Sequence, residues 1–379
     1  MTQPAYPAAR AAALRVHSRY ARKFGLTSVG GKGNSELLPT VETIEAIIDV
    51  AFWASLRREE NYTPLISLAF VTPALVDMPL IFESPVPLAS QPLTRLGPAV
   101  ERPGIHLCVW RQDGDLTVWG ATRNLPQSCF VTEVVAPGLL VLKQSRGDDS
   151  GKFINVAVIE GDEIKVIDQN ASIAPDRPEL ITSLLGLQPE SNSTDSINVL
   201  PQLAVSMRAH GRGGSLLIVP AATMSWRESV LKPIAYSVVP PFCAIVDLLQ
   251  AEPGERSRRR WQEAFRRVID GVAGLTAVDG ATIITDRYEL LAFGAKILRR
   301  PNWEQVASVI VTEPIEGTAA FIVEPGQLGG TRHLSAAQFV HDQRDGIALV
   351  ASQDGRFTVF GWSPAEKMVY ANRIETLLL

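Results

Sequence analysis

The stretch Gly329-Gly330-Thr331-Arg332-His333 decides how this sequence is interpreted. Two glycines, a hydroxyl residue, an arginine and a histidine stand at the predicted start of a helix. They bring main-chain N–H groups and a fixed positive charge together there. Thr331 is predicted to be the N-cap. Because such a helix start binds phosphate groups, we predict a cradle for a polyphosphate.

A carboxylate beside a glycine opens an apolar strand upstream of this cradle. Asp279-Gly280-Ala281 leads into Thr282-Ile283-Ile284. Glycine leaves the carboxylate unobstructed, so Asp279 is predicted to hold a metal ion or to activate a hydroxyl. The alternative is that Asp279 supplies only the carboxylate of a tight turn.

Helices and strands alternate around the two motifs. The predicted elements are a helix at 203–209, a Gly-rich loop at 210–214, a strand at 215–219, a helix at 258–273, a hairpin at 281–295, a helix from 331 to about 341 and a strand at 347–351. This pattern predicts an α/β fold with a mixed sheet and flanking helices. Ser352 and Asp354 follow the last strand.

The order of these motifs resembles the diadenylate cyclase (DAC) superfamily, in which a DGA motif and a GTRHR motif bind ATP and its metal. The resemblance covers residues 197–379. It implies that Asp279 is catalytic if the chain is active, and that Asp279, His333 and Asp354 hold Mg²⁺ or Mn²⁺ with the nucleotide. The implied nucleotide-binding residues are Gly280, Ala281, Leu298, Gly330, Thr331, Arg332, His333, Ser335 and Ser352. On the residues alone, His333 is equally a ligand or a hydrogen-bonded structural histidine.

The sequence departs from the cyclases at two points. Leu334 stands in place of the third basic residue of the RHR triplet, and the segment between Asp279 and Thr331 is longer, with an extra piece at 303–325. The 210–214 loop and the upstream stretch Ala54–Glu60 are similar to the DAC-derived variant group DACNV. That group is regarded, from sequence, as a nucleotide sensor.

Three functions follow from this resemblance. The first is a sensor that binds ATP or a cyclic dinucleotide and alters contacts with an effector protein. The second is an active cyclase that makes c-di-AMP from ATP as a face-to-face homodimer. The third is a structural interaction protein with a relic pocket. The lost basic residue and the longer segment favour the sensor.

Composition narrows the class of protein. The 379 residues are 46% hydrophobic and 20% charged, which is typical of a folded protein with room for two domains. A net charge of −4 argues against a nucleic-acid partner. Cys108, Cys129 and Cys243 lack a paired spacing and are predicted to be reduced core residues. No apolar run is long enough for a membrane span, so we expect a cytoplasmic protein without a membrane partner.

A polar stretch at 189–195 predicts a domain boundary near residue 190. The DAC-like domain is then 197–379. It is preceded by a second, β-rich α/β domain at 1–190. The elements predicted for this first domain are helices at 8–23, 41–58 and 179–185, and strands at 65–71, 105–110, 116–119, 139–143 and 154–159.

One internal similarity bears on the relation between the two domains. Residues 112–120 match residues 353–361 almost position for position, and each segment centres on an Asp-Gly turn. One interpretation is two unrelated hairpins. The other is that the first domain is a diverged copy of the second, without Thr-Arg-His and without Asp-Gly-Ala.

Overall fold

The protein is described by a computed structural model that covers residues 4–27, 38–58, 63–102, 104–145, 153–168, 198–256 and 258–379. The chain divides into two compact units. Unit 1 is Met1–Asp168 together with Leu379, and unit 2 is Gln169–Leu378. The predicted boundary near residue 190 and the predicted helix at 179–185 lie outside the described residues.

Unit 1 contains three helices and eight strands within its described residues. The helices are α1 (Pro7–Thr27), α2 (Val41–Ser55) and α3 (Ser90–Val100). The strands are β1 (Ser67–Phe70), β2 (Leu80–Pro87), β3 (His106–Gln112), β4 (Asp115–Thr122), β5 (Phe130–Ala136), β6 (Leu139–Ser145), β7 (Phe153–Glu160) and β8 (Glu163–Val166).

The sheet of unit 1 has the order β2-β4-β3-β1-β5-β6-β7-β8. Strands β1 and β3 are parallel, and the other neighbours are antiparallel. Side chains alternate between the two faces along each strand. Leu68 and Phe70 of β1 therefore join a core with the three helices, and Ala69 and Val71 join a smaller cluster that contains buried Cys108 and Cys129.

Unit 2 contains five helices and nine strands within its described residues. The helices are α4 (Val199–Ala209), α5 (Ala244–Leu249), α6 (Pro253–Arg256), α7 (Arg259–Leu275) and α8 (Thr331–Asp342). The strands are β9 (Gly214–Val219), β10 (Tyr236–Phe242), β11 (Ala281–Thr285), β12 (Leu290–Ala295), β13 (Val309–Thr312), β14 (Phe321–Val323), β15 (Ile347–Ala351), β16 (Phe357–Ser363) and β17 (Met368–Arg373).

The sheet of unit 2 has the order β10-β12-β11-β9-β15-β16-β17-β13-β14, with β9 parallel to β11 and β13 parallel to β17. Helices α4 and α7 cover one face, and α8 covers the other. Strand β15 is buried along its whole length between these layers, which explains its unbroken apolar sequence. The predicted α/β class with mixed sheets is confirmed in both units.

The two sheets share an arrangement of seven strands. The order β2-β4-β3-β1-β5-β6-β7 in unit 1 corresponds to β10-β12-β11-β9-β15-β16-β17 in unit 2, with the same parallel and antiparallel neighbours. In both units a helix precedes the central strand, which is β1 or β9. Another helix precedes the strand parallel to it, which is β3 or β11. This agreement supports a duplicated fold.

The similar hairpins at 112–120 and 353–361 do not occupy corresponding places. The first joins β3 to β4, which correspond to β11 and β12, and the second joins β15 to β16. Their likeness therefore reflects the demands of an Asp-Gly turn, in which Asp113 adopts a positive φ of 51°. The support for duplication comes from the strand order instead.

Candidate functional site

The predicted cradle lies where α8 begins. Gly330 is the N-cap residue and Thr331 is the first residue of the helix, so the prediction that Thr331 is the N-cap is wrong. The N–H of His333 bonds to Gly330 O at 3.0 Å. Within the described residues, the N–H groups of Thr331 and Arg332 have no hydrogen-bond acceptor. Two main-chain donors and the positive end of the helix dipole therefore remain available to an anion.

The Arg332 guanidinium lies against the 210–214 loop. A Cβ on Gly213 would be 3.1 Å from Arg332 Nη1, and Gly213 has a positive φ of 70°. No ion pair or hydrogen bond of the Arg332 guanidinium occurs among the described residues. A cation in the first turn of a helix opposes the helix dipole. An anionic ligand at this position would remove that opposition.

The 210–214 loop also meets the turn after β15. Gln353 Nε2 donates to Arg212 O at 3.3 Å, and the Gln353 side chain lies near the place of a Cβ on Gly213. The loop thus ends α4 and enters β9, as its glycines predict, and it also places Gly213 beside the Arg332 guanidinium. Sequence reasoning did not identify Gln353 as part of this site, because its role depends on a contact distant in sequence.

Asp279 is exposed at the start of β11 and is already paired. Its Oδ2 lies 2.5 Å from Lys296 Nζ. The hydrogen bond and charge of Lys296, with the charge of Arg332, lower the pKa of Asp279. Gly280 is required beside it: φ is +116°, and a Cβ would lie 2.5 Å from the main-chain carbon of Gly294. Ala281 begins the buried strand.

His333 is buried, with 3% of its surface exposed. A Cβ on Gly329 would lie 2.5 Å from His333 Nδ1, and its Nε2 lies 3.4 Å from Thr358 Oγ1. Burial lowers the pKa of His333, which favours the neutral form of the ring. These contacts favour the structural role that the sequence left open.

The turn after β15 holds Ser352 and Asp354. Asp354 accepts from the N–H of Arg356 at 3.3 Å and pairs with its guanidinium at 3.4 Å. The predicted metal set of Asp279, His333 and Asp354 is not assembled: no group of three or more His, Cys, Asp or Glu side chains is placed to hold a metal within the described residues.

Leu298 and Ser335 stand apart from the cradle in the described contacts. The main chain of Leu298 bonds to Ser229 O at 2.9 Å, and its side chain is 45% exposed. Ser335 lies one turn inside α8 and is half-buried. Their assignment to the nucleotide stays a prediction.

The charges around the cradle leave an excess of cations. Lys296 pairs with Asp279, and Arg356 pairs with Asp354. Arg212 and Arg332 have no carboxylate partner among the described residues. The described loop, turn and helix start therefore form a positive surface, although the whole chain is acidic. A polyphosphate suits this surface.

Comparison with known families places the similarity in unit 1. Residues 33–123 match the family model described as "Probable sensor domain DACNV". The resemblance to the DACNV group is thus confirmed over α2 to β4, and Ala54–Glu60 lies within the match. The 210–214 loop, Asp279 and the start of α8 lie outside it. No curated protein matches the chain.

The described residues include no helix with the length and apolar character needed to cross a membrane. The three cysteines are free; Cys108 and Cys129 are buried and Cys243 is half-buried. Burial raises the pKa of the Cys108 thiol to about 12, which makes this thiol unreactive.

Proposed function

We propose that the chain is a sensor whose unit 2 binds a nucleotide at the start of α8. The observation that carries this proposal is the Arg332 guanidinium, which lies beside Gly213 without a carboxylate partner among the described residues. The nucleotide phosphates contact Arg332 and the open N–H groups of Thr331 and Arg332. A charge-assisted contact of this kind is about twice as strong as a neutral hydrogen bond.

The ligand is ATP or a cyclic dinucleotide. Both present phosphate oxygens to Arg212 and Arg332, and the family match, which lies in unit 1, supports a sensor role for the chain. Binding alters the contacts of the chain with an effector protein. The site lies where the 210–214 loop, the turn after β15 and α8 already meet, so a bound nucleotide acts on three segments of unit 2 at once.

A divalent cation fits this site only in part. Mg²⁺ is usually held by one or two carboxylates together with substrate phosphates, so the exposed Asp279 suits a Mg²⁺ or Mn²⁺ that arrives with the nucleotide. His333 does not suit it, because its ring is buried and held by Gly329 and Thr358. Lys296 already supplies a positive charge to Asp279. The cation, when bound, would neutralise phosphate charge.

Two observations favour a sensor over an active cyclase. The carboxylate of Asp279, the residue implied to handle the attacking hydroxyl, forms an ion pair with Lys296. Leu334, in place of the third basic residue, offers no charge to a phosphate. Phosphoryl transfer relies on positioning and on stabilisation of charge, and both depend on these positions.

The test is calorimetric titration of the full chain with ATP and, separately, with c-di-AMP. We expect one of the two to bind, and Arg332→Ala to weaken that binding by about 10- to 150-fold, through loss of a charge-assisted contact. Arg287→Ala is the matched control, since Arg287 is an exposed arginine in the β11–β12 turn. Equal affinity of the Arg332→Ala variant and the control for both ligands would reject the proposed site.

A further inference from the structure

A cavity of about 190 Å³ opens in unit 2 away from the start of α8. It lies where β9 ends and β15 begins, and its lining includes Val219, Trp226, Trp303, Asp342, Gln343 and Arg344. A cavity of about 150 Å³ holds one benzene ring. The space therefore suits a ligand of about one ring.

Guanidinium groups and indole rings alternate beside the cavity, and Arg300, Trp303 and Arg344 of this stack line it. Arg300 Cζ lies 4.9 Å from the centre of the Trp303 ring, and Arg344 Cζ lies 5.1 Å from the same ring. Arg344 Cζ also lies 4.2 Å from the centre of the Trp362 ring. Stacking on rings fixes the Arg344 guanidinium and leaves its N–H groups free in the plane of the guanidinium.

The carboxylates near the stack do not satisfy Arg344. Asp342 is buried and accepts from the Arg300 N–H at 2.6 Å and from Gln338 Nε2 at 2.8 Å. Glu228 is paired with Arg300 Nε at 2.7 Å. Asp345 also lines the cavity, but neither it nor another carboxylate of the described residues forms an ion pair with Arg344, which is exposed. Its charge is thus held in place at the cavity without a counter-ion.

The lining also contains an unsatisfied donor. Trp226 is 2% exposed, and its Nε1 has no hydrogen-bond partner within the described residues. A buried N–H without an acceptor costs free energy, so such groups are rare in folded proteins. Gln343, by contrast, has acceptors for its side-chain amide in Ser225 O and Ser229 Oγ.

We propose that this cavity is a second ligand site, for a small ring compound that bears a carboxylate or a phosphate. The oxyanion binds in the plane of the Arg344 guanidinium, which presents paired N–H donors with matching geometry. The ring fills the cavity beside Trp303 and Trp226. This site is separate from the nucleotide cradle, because α8 begins at the cradle with Thr331 and reaches the cavity with Asp342.

The test uses two anions with the same benzene ring: benzoate, which carries a carboxylate, and phenyl phosphate, which carries a phosphate. Benzamide is the uncharged analogue. Binding to the full chain is followed by tryptophan fluorescence and by thermal shift. We expect saturable binding of at least one of the two anions, with benzamide at least about tenfold weaker. The tighter anion identifies the group that the site takes. No saturable binding of either anion would overturn the proposal.

Arg344→Met keeps an unbranched side chain between the two indoles but removes the charge. We expect it to weaken binding of the anion at least about tenfold, while Arg287→Met leaves binding unchanged. Trp303→Phe keeps an aromatic ring and gives a second variant should Arg344→Met not fold; it should weaken binding of the anion and change the fluorescence response. Parent-like affinity in the folded variants would overturn the proposal. Binding of ATP to these variants should match the parent, since the cradle is untouched.

Discussion

Units 1 and 2 share seven strands in the same order, yet they differ in the segment that follows the fourth of these strands along the chain. In unit 2, β13, β14 and α8 are inserted between β12 and β15. In unit 1, residues 123–129 alone connect β4 to β5, without a helix. The sheet therefore does not depend on the helix that carries Arg332. Arg332 and the start of α8 belong to a segment that unit 2 adds to the shared arrangement of seven strands.

The register extends this comparison to single residues. Ser67-Leu68 of β1 corresponds to Ser215-Leu216 of β9, and both leucines face the helices that precede the strands. Leu68 pairs with Leu107, and Leu216 pairs with Thr282. Gly104 lies three residues before Leu107, and Asp279 lies three residues before Thr282. Gly104 therefore occupies the position of Asp279. Unit 1 thus lacks the carboxylate as well as the helix.

A pair of glycines is shared by both units. Trp119-Gly120-Ala121 in β4 is similar in sequence to Phe293-Gly294-Ala295 in β12, although the strand pairing offsets the two glycines by one residue. The residue that follows each triplet differs: it is Thr122 in unit 1 and Lys296 in unit 2. The family match covers the unit without Asp279 and Lys296. Sharing a fold therefore does not imply sharing a site, and unit 1 is expected to bind no nucleotide in this manner.

The largest expected effect concerns turnover. With ATP and Mg²⁺ or Mn²⁺, we expect cyclic or linear dinucleotides to be absent or to form very slowly, because misplacement of reacting groups costs about 10²-fold in rate. Mass spectrometry of the products at micromolar protein concentration measures this. Product that accumulates over many turnovers, and that disappears with Asp279→Asn, would identify unit 2 as an active cyclase.

The next effect is a dependence of the stability of unit 1 on pH. His106 is buried beside Ser67, with Ser67 Oγ 2.8 Å from its Nδ1, and burial lowers the pKa of His106 from 6.5 to about 4. Above pH 6.5 neither state binds the proton. As the pH falls from 6.5 to about 4 the unfolded state binds it first, so about 3 kcal/mol of stability is lost in that window.

Chemical unfolding measured from pH 7 to pH 4 tests this prediction. His106→Asn removes the titrating group and places a polar atom near Nδ1, so the fall in stability should be shallower than in the parent. The quantity to compare is the slope of the free energy of unfolding against pH, because the substitution itself changes the stability at every pH. A variant with the slope of the parent would show that His106 does not control the acid response of unit 1.

The shared glycines allow a matched test of the framework. A Cβ on Gly120 would lie 2.2 Å from Leu80 O, whereas a Cβ on Gly294 would lie 2.8 Å from a ring carbon of Tyr236. Main chain cannot move aside as a side chain can. Gly120→Ala should therefore destabilise its unit by about 1–3 kcal/mol. Gly294→Ala should also destabilise, through the ring contact and a positive φ of 63°. Thermal unfolding measures both, and tolerance of alanine at Gly120 would argue against the close approach of β2.

The smallest effect concerns the cation. Lys296→Met frees Asp279, so addition of Mg²⁺ should increase the affinity for ATP more in this variant than in the parent, by up to about fivefold, the range expected from an exposed ion pair. Asp279→Asn should remove the Mg²⁺ dependence. Titrations with Mg²⁺ and with EDTA give the comparison. If Mg²⁺ changed the affinity for ATP equally in the parent and in both variants, Asp279 would act only as a turn residue.

The sequence predicted most of the buried helices and strands, and it missed most of the strands at the sheet edges. Strand β15 is found at the predicted residues, because a strand buried on both faces has a continuous apolar sequence. Strands β2 and β10 were missed, since both lie at sheet edges, are largely exposed and contain proline. Helix α3 was also missed, because Pro98 lies inside it.

For the site, the motifs predicted the position of Asp279 and of the start of α8, but not their partners. Lys296, Gly213 and Gln353 join the site through contacts between distant segments, and no local pattern identifies such contacts. The same holds for the stack at the cavity, whose members Arg300, Trp303, Arg344 and Trp362 are spread over three segments. Gly330 replaces Thr331 as the N-cap, because glycine also occupies that position readily.

The most direct test of the account is the number of nucleotide molecules bound by each chain. Calorimetry of the full chain, with ATP or c-di-AMP in excess and the concentration of folded protein determined independently, gives this stoichiometry. The account predicts that one of the two ligands binds once per chain, and that this binding is lost or strongly weakened in Arg332→Ala and kept in Arg287→Ala. Two molecules of the ligand per chain, no binding of either ligand, or binding to the Arg332→Ala variant with the affinity of the parent would contradict the assignment of a single nucleotide site to unit 2.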